Sequence, residues 1–91
     1  MAGDSSVDAV QTPEGWTRDG EVLRRTVECA DFKAALDLVN AVGARAEAAN
    51  HHPDIDIRYN KVTFALTTHD AGGLTDKDTA LATEINALLG L

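Results

Sequence analysis

The sequence predicts an α+β domain, a four-stranded antiparallel sheet with helices packed on one face, in the order β-β-α-β-β-α. Three observations predict it. Alternating apolar and polar stretches surround two turn dipeptides, Asp19-Gly20 and Asn60-Lys61. Each pair of stretches is followed by residues with apolar positions at helical spacing. Hairpins require antiparallel pairing, which leaves one sheet face for the helices to cover.

Each element has a local reason. Met1 to Thr12 is polar and rich in small residues, so residues 1–14 are expected to be a flexible N-terminal segment ahead of a single domain, 15–91. Order begins near Trp16. After the Asp19-Gly20 turn, Glu21 to Cys29 reads as a strand with Leu23, Val27 and Cys29 on one face and Val22, Arg24, Thr26 and Glu28 on the other; Arg25 interrupts the apolar face. Asp31 is a candidate N-cap for a helix carrying Phe32, Ala35, Leu36, Val39, Val42, Gly43 and Ala46 on one stripe. Pro53 ends it near Ala49 or Asn50, because the residue before a proline favours extended backbone. Ile55, Ile57 and Tyr59 alternate with Asp54, Asp56 and Arg58, and Val62, Phe64, Leu66 and Thr68 alternate with Thr63, Ala65, Thr67 and His69. Asp70 to Leu74 contains Gly72-Gly73 and reads as a loop. Thr75 then opens a last helix with Leu81, Ile85, Leu88 and Leu89 inward.

Ninety-one residues make one domain with a modest core, so self-association into a homo-oligomer, a dimer or tetramer, is expected. The net charge of -7 repels phosphate backbones and argues against direct nucleic-acid binding. No Lys/Arg run suggests a membrane surface, and no apolar run approaches the roughly 20 residues of a membrane span. A single cysteine, Cys29, and the absence of a signal-peptide pattern before Gly15 point to a reducing cytoplasm.

The chemistry concentrates in one third of the chain. All three histidines, His51, His52 and His69, fall there, and imidazole exchanges protons near neutral pH. Glu47 lies four residues before His51, where a continuing helical turn would pair them; the alternative is an ordinary surface charge pair. His51-His52-Pro53 makes a rigid corner at the helix exit, or simply an exposed loop. His69 closes a strand, where a sheet presents groups to a cleft. Three imidazoles also raise a zinc site, but no His-x-x-x-His pair is present, so no metal is expected. Thr75 to Asp78 matches a capping box, which makes Asp78 a helix cap on these residues alone. Trp16 is a packed anchor or a platform for a flat heterocycle.

The frame Glu47, His51-His52-Pro53, Tyr59, His69, Asp78 resembles the signature of the pterin-4a-carbinolamine dehydratases. The similarity extends to Gly15-Trp16, Asp31-Phe32, Tyr59-Asn60-Lys61-Val62, Thr67-Thr68-His69 and Gly73-Leu74-Thr75, from about Trp16 to Leu91. The resemblance implies a lyase that removes water from 4a-hydroxytetrahydropterins to give quinonoid dihydropterins, recycling the cofactor of aromatic amino acid hydroxylases. It implies no bound cofactor and no metal. It makes His51, His52 and His69 the catalytic histidines, with Glu47, Thr68, Asp78 and Trp16 at the substrate. Glu47 beside His51 suggests His51 as the acid, leaving His69 as the base and His52 to position the pterin. Some members of the family instead serve as non-catalytic assembly factors or coactivators, which is the competing function. The chain departs from many relatives in its short segment before Gly15, in Asn50 where some have an acid, and in Ile55 where some have a large aromatic.

Overall fold

The computed structural model describes residues 12–90. The flexible segment expected over residues 1–14 lies outside the described residues as far as residue 11, as does Leu91. The elements are β1 (Thr17–Asp19), β2 (Val22–Glu28), α1 (Phe32–Ala49), β3 (Asp54–Arg58), β4 (Lys61–Leu66), a 3-10 turn (His69–Ala71) and α2 (Asp76–Leu88). The four strands form one antiparallel sheet in the order β1-β2-β4-β3, as the two-hairpin pattern predicts.

The burial of the strands alternates. Leu23 of β2 and Val62, Phe64 and Leu66 of β4 are buried against Ala35, Val42 and Ala46 of α1 and Leu81, Ala82 and Ile85 of α2. Removing these side chains from water drives the collapse. The opposite face carries polar groups such as Thr26 and Thr63, whose hydroxyls meet across the β2–β4 pair at 2.9 Å. A shallow groove on this face, lined by Val22, Arg24, Asp54, Asp56, Ala65 and neighbours, contains no imidazole. Two members of the expected α1 stripe, Phe32 and Leu36, remain exposed, as do Ile55 and Tyr59.

Two local expectations change. The second hairpin turns on Tyr59-Asn60 rather than Asn60-Lys61: Lys61 pairs with both Arg58 and Glu28, and Tyr59 takes the left-handed φ of 52°. Asn60 holds the turn there, because its side-chain amide donates to the Cys29 carbonyl at 2.8 Å and its own carbonyl accepts from the Cys29 N–H at 2.7 Å. His69 does not close a strand. β4 ends at Leu66, and the Thr68 carbonyl accepts from both Ala71 and Gly73, winding His69–Ala71 into a 3-10 turn that Gly72 (φ 76°) completes.

Arg25, which interrupts the apolar face of β2, acts as a polar tie. Its guanidinium donates to the Glu14 carbonyl and to Asn86 Oδ1, both at 3.2 Å. The same Asn86 oxygen accepts from the Trp16 indole at 2.9 Å, and the Asn86 amide donates to the Glu14 carbonyl at 2.9 Å. Gly15 is required here twice over: its φ is +85°, and a Cβ would stand 1.9 Å from Arg25 Nη1.

Candidate active site

α1 ends in a left-handed turn at Asn50 (φ 52°, ψ 42°). The Asn50 N–H returns to the Glu47 carbonyl and the His51 N–H to the Ala46 carbonyl, the pair of bonds of a Schellman ending. Asparagine tolerates this conformation better than most side chains. The reversal takes His51 off the helical face that Glu47 occupies. The expected Glu47–His51 pair is therefore replaced: Glu47 Oε2 lies 2.6 Å from His52 Nε2, and both side chains are largely exposed.

His51 turns inward instead. Its Nε2 lies 2.6 Å from Asp78 Oδ1. The His51 side chain is only 11% exposed and that of Asp78 is fully buried. Asp78 Oδ2 accepts from the Thr68 hydroxyl at 2.7 Å and from the Thr75 N–H at 3.0 Å. The Thr68 and Thr75 hydroxyls are themselves 2.8 Å apart. Thr75 caps α2 and Asp78 closes the expected capping box, so one carboxylate both starts the helix and receives the imidazole. Burial of a carboxylate is tolerable only with such partners. The arrangement orients the ring: Asp78 accepts from Nε2–H, and the Nδ1 atom has no hydrogen-bond partner among the described residues.

A hollow of about 280 Å³ opens beside these groups, lined by Asn50, His51, His52, Thr67, Thr68, Asp70 and Lys77. It adjoins a second of about 440 Å³ that shares Thr68, Asp70 and Lys77 and extends along the start of α2. The structure thus gathers His51, His52, Thr68 and Asp78 from the α1 exit, the segment after β4 and α2, with Glu47 bonded to His52. The backbone of His69 follows Thr68 directly at the hollow's edge. Thr68 faces Asp78 and Thr75 with its hydroxyl. Trp16 is not brought to the hollow: its ring is buried and bonded to Asn86, two turns beyond Asp78 or about 12 Å along α2. Sequence reading missed Asp70 and Lys77, whose only signal was their place beside the glycine loop and the capping box. Among the described residues no group of three His, Cys, Asp or Glu is placed to hold a metal ion.

Comparison with known proteins identifies the family and the fold. The family model described as pterin 4 alpha carbinolamine dehydratase matches residues 3–88. A Mycobacterium tuberculosis protein provisionally named pterin-4-alpha-carbinolamine dehydratase is 51% identical over 88 residues, which is 96% of this chain and 94% of that protein. The crystal structure of a transcriptional coactivator/pterin dehydratase from Brucella melitensis superposes with a TM-score of 0.82 at 28% identity, covering 96% of this chain and 95% of that one. A pterin dehydratase-like protein identified as a RuBisCO assembly factor in the alpha-carboxysome shares the fold alone, with a TM-score of 0.72 at 20% identity, covering 88% of this chain and 95% of that one. Fold, histidine-lined hollow and family match together identify the chain as a member of the pterin-4a-carbinolamine dehydratase family.

Proposed function

We propose that this protein is a 4a-hydroxytetrahydropterin dehydratase that works by histidine acid–base catalysis, without metal or bound cofactor. The observation that carries the proposal is the pairing of two adjacent imidazoles with separate carboxylates at one hollow, His51 with Asp78 and His52 with Glu47. The substrate carries a hydroxyl at C4a. A proton delivered to that oxygen lets it leave as water, since hydroxide leaves poorly. The C4a–O bond breaks as the neighbouring nitrogen lone pair forms a C=N bond. A base then removes a ring nitrogen proton, giving the quinonoid dihydropterin.

His51 is the proton donor in this scheme. Its ring is held through Nε2 by Asp78, whose negative charge would balance a protonated imidazole, and Nδ1–H would deliver the proton. Asp78 therefore takes the part expected of Glu47. His69 is the base, and His52, steered by Glu47, positions the pterin. The product would return to an aromatic amino acid hydroxylase. We further propose a cytoplasmic homo-oligomer, formed through the exposed apolar groups of α1 and β3.

The test is direct. Freshly generated 4a-hydroxytetrahydropterin is followed by ultraviolet absorbance with and without protein, and the protein should accelerate its decay. The exposed Phe32 and Leu36 favour a competing role as a non-catalytic assembly module. Such a module would leave the spontaneous rate unchanged.

A further inference from the structure

We propose that Asp70 and Lys77 read the amino-oxo edge of the pterin and so determine which pteridines the hollow accepts. The inference rests on the dehydratase reading and adds the groups that would recognise its substrate. Of the charged side chains around the hollow, Glu47 is taken by His52, and Asp78 by His51 and Thr68. Asp76 borders only the adjoining hollow. Asp70 and Lys77 border both, are exposed, and have no side-chain partner among the described residues. They also form no ion pair with each other, although they line the same space. Opposite charges facing one hollow without touching suit a neutral ligand that bridges them.

The pyrimidine ring of a pterin has the required pattern. Its edge presents the 2-amino group and N3–H as adjacent donors, followed by the C4 carbonyl as an acceptor. A carboxylate offers two acceptors and no donor, so Asp70 matches the donor pair in a bidentate contact. An ammonium offers donors only, so Lys77 matches the carbonyl. Placing that edge at Asp70 and Lys77 leaves the pyrazine side of the ring, where the reaction occurs, for the histidines across the hollow. A pteridine with a second carbonyl in place of the 2-amino group would set an oxygen against the Asp70 carboxylate and be rejected.

The test compares two stable fluorescent probes, pterin and lumazine (the 2,4-dioxo analogue), at a pH where both are neutral. Each is titrated into the wild-type protein, Asp70→Asn and Lys77→Met. The wild type should bind pterin roughly tenfold or more tightly than lumazine, the scale of one good bidentate contact. Asp70→Asn should remove most of that preference. Lys77→Met should weaken both probes and keep the preference, because both carry the C4 carbonyl. Asp70 and Lys77 are exposed, so neither substitution disturbs the core. A full pterin preference retained by Asp70→Asn in a protein that still dehydrates its substrate would overturn the edge assignment and leave the dehydratase reading standing. A wild type that neither binds pterin nor dehydrates would overturn both.

Discussion

His51 and Asp78 are 27 positions apart in the chain and 2.6 Å apart in space. The Asp78 carboxylate meets the imidazole with one oxygen and accepts from Thr68 and the Thr75 cap of α2 with the other. Asp78→Asn keeps the shape but turns a donor amide toward groups that already donate. It should destabilise the fold by about 1–3 kcal/mol, the cost of a lost cap and an unsatisfied buried donor. It should also slow dehydration. Chemical denaturation and the absorbance assay measure the two losses separately, and a weakened but fully active variant would leave Asp78 a cap alone.

His51→Ala and His69→Ala should each lower turnover by at least about 10²-fold, the lower end for a positioned acid or base. Their combination should cost less than the product of the two, because groups acting as a unit are not additive. Near-normal turnover in both folded single variants would refute the mechanism.

His52→Ala should act mainly on substrate affinity, and Glu47→Gln should follow it, since Glu47 bonds to His52 and not to His51. The expected pattern is a raised KM with kcat changed much less. Glu47 is largely exposed, so stability should move by less than about 0.5 kcal/mol. A Glu47→Gln variant that instead lost kcat as His51→Ala does would restore the Glu47–His51 coupling.

Dialysis against a strong chelator should leave turnover unchanged. A loss that zinc restores would revive a metal role for the three imidazoles.

The protein should sediment as an oligomer at micromolar concentration. Phe32, Leu36, Ile55 and Tyr59 leave apolar surface uncovered in the single chain, and β3 is an edge strand. A sole 9.6 kDa species would contradict this.

Local patterns carried the fold because they are short in range. The alternation of Val62, Phe64 and Leu66, the Asp31 cap and the Thr75–Asp78 box each depend on residues a few positions apart, and each is present in the structure. The hairpin turn shifted by one residue because its anchor, Cys29, lies 31 positions from Asn60. The histidine partners were exchanged for a related reason. Helical spacing set Glu47 against His51 only if the turn continued, whereas the helix that Pro53 stops leaves through a left-handed Asn50, which sends His51 the other way. Arg25 looked like a flaw in a strand because its partners, Glu14 and Asn86, are distant in sequence. Trp16 was read both as anchor and as ligand platform, and its bond to Asn86 places it in the core.

The double duty of Asp78 makes the working state of the site hostage to the first turn of α2. If that turn frays, Thr75 and Asp78 release each other, and His51 loses its hold in the same event. Trp16 reports from the opposite end of α2 through Asn86 and would not sense it. On warming, activity should therefore fade before tryptophan fluorescence changes, and amide exchange should quicken first at Thr75 and its neighbours. The protein would carry a soft end that works and a firm end that keeps the chain folded.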